Sequence, residues 1–329
     1  MSSSASPNTT RPRIASLLSS ATEMLYGLGL ADQVVAVSHE CDWPPEVAEQ
    51  PRVTFSHIDD SLSSLEIDTQ VKQQSAAGMA LYEIDRAQLE TLAPDFIVTQ
   101  AQCDVCAVRY EDVVSLVERS EALRHTKIIS LSPDSLVDVL QDIRRLGEQL
   151  GATAAAERFL AQLNDRLTAV EAQITGAQVA GAPPEAAPRV AIIEWLDPIM
   201  IAGNWTPDLV RRAGGQYNLA TAGEHSPYVD WSAIVADDPQ VLIVAPCGFD
   251  IERTWSECQS LAQLDGWQNL SAVRSGRVTI MDGNAYLNRS GPRLIDTVEI
   301  LAHLIHPDRC SMPAVVNESP PAWRQIELL

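Results

Sequence analysis

Ser135-Leu-Val-Asp-Val-Leu-Gln-Asp-Ile-Arg-Arg-Leu-Gly-Glu-Gln-Leu-Gly-Ala-Thr153 opens a run in which Leu136, Leu140, Ile143, Leu146 and Leu150 return at helical spacing. Phe159, Leu160, Leu163, Leu167 and Val170 continue the stripe, interrupted only by Gly147 and Gly151. That period predicts one long helix over residues 134–176, or two nearly collinear ones. On both sides of it the pattern is different. Short β-type runs at residues 14–18, 34–37, 96–99 and 127–131 alternate with helical stretches at 19–28, 65–71, 85–92 and 110–119. Beyond a Gly/Ala/Pro-rich linker at 177–188, β-type runs at 190–195, 199–202, 241–245 and 278–281 accompany helices at 207–213 and 292–305. Alternation of this kind implies α/β architecture with mostly parallel sheets. The expected plan is two Rossmann-like lobes, residues 13–133 and 189–311, bridged by the long helix, with tails at 1–12 and 312–329. Ser20 lies three residues before Glu23, the spacing of a capping box at the first helix.

A chain of 329 residues accommodates two such lobes, each with its own core. The formal charge of −21 disfavours nucleic acid or an anionic membrane surface as partner, since both require clustered Lys and Arg. No run approaches the roughly 18 apolar residues of a spanning helix. The first thirteen residues, polar and Ser-rich, do not read as a signal peptide, so a cytoplasmic monomer is expected, or a periplasmic one if the recorded start is misassigned. Six cysteines are too few for a disulfide scaffold.

Chemistry-bearing residues concentrate in two loops that follow β-type runs: Ser38-His39-Glu40-Cys41-Asp42-Trp43-Pro44-Pro45 and Gln100-Ala101-Gln102-Cys103-Asp104-Val105-Cys106-Ala107. Ligands of open α/β sheets sit at such carboxyl edges. His39, Cys41, Cys103 and Cys106 form one candidate metal set, for zinc or an iron–sulfur cluster, because imidazole and thiolates suit both. The alternative is a set of small buried cysteines with a histidine bonded to backbone. In the second half, aromatics stand beside turn residues: Trp195, Trp205 next to Asn204, Trp231, Phe249 after Cys247-Gly248, and Tyr286. With Trp43 they suggest flat apolar walls for a large planar ligand. No Gly-x-Ser-x-Gly elbow, phosphate loop or His-Glu-x-x-His motif is present.

Four stretches carry a resemblance to a known family. They are Ile14-Ala-Ser-Leu-Leu-Ser-Ser-Ala-Thr-Glu23, Val37-Ser-His-Glu-Cys-Asp-Trp-Pro-Pro45, Leu92-Ala-Pro-Asp-Phe-Ile-Val-Thr-Gln100 and Arg289-Ser-Gly-Pro-Arg293. Across roughly residues 13–306 the chain resembles the class III substrate-binding proteins of ABC importers, and within them the cobalamin-binding branch. The resemblance implies a corrinoid held without catalysis in the cleft between the lobes, with Trp43, Gln100, Tyr228, Cys247, Gly248, Phe249, Tyr286 and Arg289 facing it. Gln102 and Asn204 would hydrogen-bond its amides, and His39 or a thiolate would ligate cobalt. An ABC permease or a corrinoid-accepting protein is the implied partner. Two alternatives stand beside this reading. One is a corrinoid-processing enzyme using the metal or thiolates of His39, Cys41, Cys103 and Cys106; the other is a haem or iron–siderophore binder.

Overall fold

The computed structural model describes residues 11–102, 105, 107–176, 187–313 and 321–326. Two compact units are present. The first comprises residues up to His57 with 80–132 and 146–155; the second comprises 58–79, 133–145 and 156 onward.

The first unit is built on a four-stranded sheet of order β2-β1-β5-β6, from Ile14–Ser16 (β1), Val34–Val37 (β2), Phe96–Gln100 (β5) and Lys127–Leu131 (β6). Every pairing in it is parallel. Parallel strands cannot be joined by tight turns, so helices cross over the faces. These are Ser19–Gly27 (α1), Arg86–Leu92 (α3) and Tyr110–Arg119 (α4). Ala15, Leu17, Ala36, Ile97, Val113 and Leu123 are wholly buried in the core beneath them. A separate antiparallel pair, Thr54–Ser56 (β3) with Tyr82–Ile84 (β4), was not legible in the sequence because the region is Ser-rich and only three residues of each strand pair. The expected capping box at Ser20 is absent: Leu18 occupies the N-cap of α1 and makes no side-chain cap bond. The capping box lies instead at Ser63 and Glu66, where Ser64–Ala76 (α2) begins.

The second unit carries a sheet of order β11-β10-β9-β7-β8. Val190–Leu196 (β7), Val241–Val244 (β9) and Val278–Met281 (β10) pair in parallel, and all twelve residues of β9, β10 and the first four of β7 are buried. Ile199–Ile201 (β8) and Trp323–Gln325 (β11) close the two edges antiparallel. Part of the expected tail at 312–329 therefore serves as an edge strand, tucking Ala322 and Ile326 under the sheet. Thr206–Arg212 (α7), Trp231–Asp237 (α8), Ile251–Cys258 (α9), Ser271–Arg274 (α10) and Leu294–Ile305 (α11) complete the unit.

The fold-deciding stretch forms two helices, Leu136–Gln149 (α5) and Thr153–Gly176 (α6). Gly151 sits at φ +72°, and the Ala152 N–H returns to the Gly147 carbonyl at 2.7 Å, so a left-handed glycine terminates α5. The helix-period stripe is continuous across that break, which is why it reads as one element. Within the second unit Arg166 on α6 reaches Glu299 at 2.8 Å and also Asp296, both on α11, binding helix to helix.

Asp142 on α5 is the least well solvated carboxylate of this region. Its Oδ1 accepts from Arg145 at 2.6 Å, while Oδ2 is buried without a hydrogen-bond partner. Burial outweighs the attraction of Arg145 and pushes the carboxyl up to about 6. The folded chain thus holds this proton more tightly than the unfolded chain, so the group favours folding as pH falls from about 6 and opposes it above. Asp142→Asn is expected to raise thermal stability at pH 8 by roughly 1–2 kcal/mol. The gain should vanish by pH 4, and calorimetry at the two pH values measures it.

Candidate functional site

In the first unit the chain leaves β1 toward β2 on one side and enters β5 on the other, so the strand order reverses between β1 and β5. Such a reversal opens the carboxyl edge of a sheet to ligands. The loop after β2 is tightly held there. Arg52 donates to the carbonyls of Ser38 at 2.9 Å and His39 at 3.2 Å, and also to that of Cys41. His39 has Nδ1 2.7 Å from the Thr54 hydroxyl, which also receives the His39 backbone N–H at 3.0 Å; a carboxylate oxygen of Glu40 lies 3.2 Å from Nε2. Cys41 is fully buried, with Sγ 3.1 Å from the Thr22 hydroxyl. Trp43 is exposed. Gln100 ends β5 buried, its Oε1 accepting from the Gln102 backbone N–H at 2.6 Å.

The loops containing His39 and Gln102 meet on a residue that sequence reading overlooked. The Tyr82 ring lies 5.5 Å from the His39 ring, and its hydroxyl donates to the Val105 carbonyl at 2.7 Å. An aromatic three residues before the helix-capping Asp85 was the available signal. The metal set expected from His39, Cys41, Cys103 and Cys106 is not assembled by its described members. His39 is engaged by Thr54 and Glu40, Cys41 by Thr22, and Cys103 and Cys106 lie outside the described residues. Among the described residues no group of three or more His, Cys, Asp or Glu is arranged to hold a metal ion.

The second unit presents its own carboxyl edge, where β7, β9 and β10 end side by side. Trp195 and Phe249 pack with ring centroids 5.3 Å apart. Phe249 follows the turn Cys247-Gly248, in which Gly248 takes φ +77° and Cys247 is exposed, its backbone N–H donating to the Glu194 carbonyl at 3.0 Å. Tyr228 is 53% exposed and completes the aromatic rim. Behind it, Ser226 donates to Glu194 at 2.7 Å and accepts from the Gly203 N–H at 2.9 Å, while Asn204 holds the left-handed φ of +49° beside them.

Three expected contact residues are instead used inside the unit. The Trp205 indole donates to the Leu287 carbonyl at 2.9 Å and is buried. Tyr286 is buried, with Arg293 over its ring at 5.5 Å, and Arg289 donates to Asn284 at 2.8 Å, also buried. Tyr286 and Arg289 sit in the turn after β10 and Trp205 at the start of α7, places where burial of a Trp, Tyr or Arg has no sequence signature. Sequence reading also missed Arg253, which stacks over Phe249 at 4.7 Å.

Cys258 and Cys310 are poor nucleophiles: burial pushes Cys258 up to about 11, and pushes Cys310 up as well. No helix among the described residues is long and apolar enough to cross a membrane.

The β9 and β10 loops are brought together by a close backbone approach. A Cβ on Gly283 would lie 2.2 Å from the Pro246 carbonyl oxygen and 2.7 Å from that of Ala245. Gly283→Ala must therefore displace backbone rather than a flexible side chain. It is expected to cost at least about 2 kcal/mol in a denaturant titration and to loosen the Trp195–Phe249 pair, read by near-ultraviolet circular dichroism.

Comparison with known proteins gives a consistent picture. The model of the family described as "Periplasmic binding protein" matches residues 14–285. The Vitamin B12-binding protein of Vibrio cholerae is 24% identical over 290 residues, covering 87% of this chain and 86% of that one. A periplasmic heme binding protein from Pseudomonas aeruginosa superposes with a TM-score of 0.68 at 20% identity, covering 92% and 95% of the two chains. The periplasmic vitamin B12 binding protein of Vibrio cholerae superposes with a TM-score of 0.63 at 21% identity, covering 90% and 97%. Both solved proteins are periplasmic, which gives no support to the cytoplasmic location expected from the N-terminal residues.

Proposed function

This chain belongs to the periplasmic binding protein family, and from that premise we propose that it binds cobalamin or a related corrinoid without catalysis. The observation that carries the reading is the Trp195–Phe249 pair at the carboxyl edge of the second sheet, with the exposed Cys247-Gly248 turn beside it. Paired aromatic rings beside an exposed turn suit a large planar macrocycle fringed with amides. Likeness over most of the chain to a vitamin B12-binding protein supports the same ligand class.

Within the first unit Trp43 is exposed, and His39 Nε2 lies 3.2 Å from a Glu40 carboxylate oxygen. The enzyme alternative draws on His39, Cys41, Cys103 and Cys106; of its described members His39 bonds to Thr54 and Cys41 lies against Thr22, so those two do not converge. Haem is less well served. Its expected Tyr anchor, Tyr286, is buried beneath Arg293, and Arg289 is committed to Asn284. The kinship further supports an exported location and delivery of the ligand to an ABC permease.

Titration with aquocobalamin, followed by the visible spectrum and tryptophan quenching, tests the proposal. Binding at micromolar ligand or tighter is expected, with haemin as the control ligand. Trp195→Ala should weaken cobalamin by about tenfold or more, the value of one stacked aromatic. No binding by the wild-type chain, or haemin bound far more tightly than cobalamin, overturns the assignment. A second measurement addresses metal: zinc and iron contents of the purified chain should be unaffected by Cys41→Ser, since that thiol is spent on Thr22.

A further inference from the structure

Residues 58–79 form an excursion that belongs to the second unit although the chain on either side of it belongs to the first. Its two ends are tied together. β3 and β4 pair from Thr54↔Ile84 to Ser56↔Tyr82, and the His57 N–H donates to the Leu81 carbonyl at 2.9 Å. A segment whose ends are joined in this way is a compact excursion on a short neck, here carrying α2. Gly78, at φ +68° with nothing within 4 Å of its Cβ position, supplies a left-handed turn at the trailing end.

The excursion docks on the ligand edge of the second unit. The Trp195 indole N–H donates to the Ser64 carbonyl at 3.2 Å, and the Tyr228 hydroxyl donates to Asp68 at 3.0 Å. Lys72 lies over the Tyr228 ring at 4.6 Å while pairing with Asp68 at 2.8 Å. Glu257 accepts the Ser64 N–H at 3.0 Å. Arg253 donates to the carbonyls of Ser61 and Leu62, pairs with Glu257 at 2.7 Å and covers the Phe249 ring. Each aromatic of the proposed platform is therefore engaged either by the excursion or by the Arg253 that anchors it.

The hold is almost wholly polar. Of the apolar side chains of α2 only Ile67 is buried, and Leu65 is exposed. Segments attached by few apolar contacts and solvent-accessible hydrogen bonds belong to the low-stability end of a fold.

We infer that residues 58–79 are a latch over the aromatic edge of the second unit, and that ligand binding and latch docking compete for Trp195, Phe249 and Tyr228. A planar ligand stacked on Phe249 displaces Arg253 and with it the bonds to Ser61 and Leu62. A group bonded to Trp195 or Tyr228 replaces Ser64 or Asp68. Because docking occupies the same groups, apparent affinity falls by the fraction of molecules in which the latch is open.

The inference rests on the corrinoid reading for its ligand but not for its structural core, and the experiment separates the two. Hydrogen exchange by mass spectrometry is measured on the wild-type chain and on Glu257→Gln, Asp68→Asn and the double variant, with and without aquocobalamin. Without ligand, the double variant should exchange amides of residues 58–79 about tenfold faster than wild type, with the parallel strands unchanged as the control for folding. With aquocobalamin, the same amides of the wild type should speed up, and the double variant should bind about three- to tenfold more tightly. Ligand-free exchange unaltered in the double variant overturns the latch whatever the ligand result. So does slower exchange of 58–79 with cobalamin, or weaker binding by the variant, since either makes the segment a wall of the site. If neither protein binds cobalamin, the corrinoid reading falls and ligand-free exchange alone decides the latch.

Discussion

Parallel strands are the constraint from which the rest of this molecule follows. A parallel pair needs a crossover between its strands, crossovers cover both faces of the sheet, and both faces then have to be apolar. In each unit this leaves the carboxyl edge as the region where loops are free to carry polar and aromatic chemistry. The central strands β7, β9 and β10 present unbroken buried runs, and every candidate contact residue of the second unit lies at or beyond a strand end. The site is a consequence of the sheet rather than an addition to it.

At those edges the local chemistry is rigid. Arg52 gathers three carbonyls of the His39 loop, and Gly283 lets the β10 turn press against the Pro246 carbonyl. Side chains at these edges stand on a backbone fixed in place, and His39 and Cys41 are already engaged by Thr54 and Thr22.

Much of the fold was legible because it rests on periodicity. The 3.6-residue stripe of α5 and α6 and the apolar runs of β7, β9 and β10 follow directly from burial. What escaped was whatever depends on one residue's backbone conformation or on a short pairing: the left-handed Gly151 that divides the long helix, the three-residue strands β3 and β4, and the edge strand β11 within a proline-rich tail. The candidate site was legible as a set of loops and not as a set of contacts. His39 and Cys41 looked like converging ligands, yet in the fold they lie against Thr54 and Thr22, while Cys103 and Cys106 lie outside the described residues. Trp205 reads as a cleft residue from its turn neighbourhood, and Tyr286 and Arg289 also from the family resemblance. Burial of a side chain beside a turn depends on what the rest of the chain packs over it.

The short ladder of β3 and β4 has a consequence for how such proteins diversify. Since the ladder holds residues 57 and 81 together, the chain between them is a closed excursion whose length the sheets do not sense. Doubling the length of such a loop costs only about 0.6 kcal/mol of closure entropy. Additions and deletions there leave both hydrophobic cores intact while altering what lies against the second unit's rings. The neck is thus a natural point of divergence, where relatives sharing one scaffold can acquire different ligand preferences by exchanging a single insert.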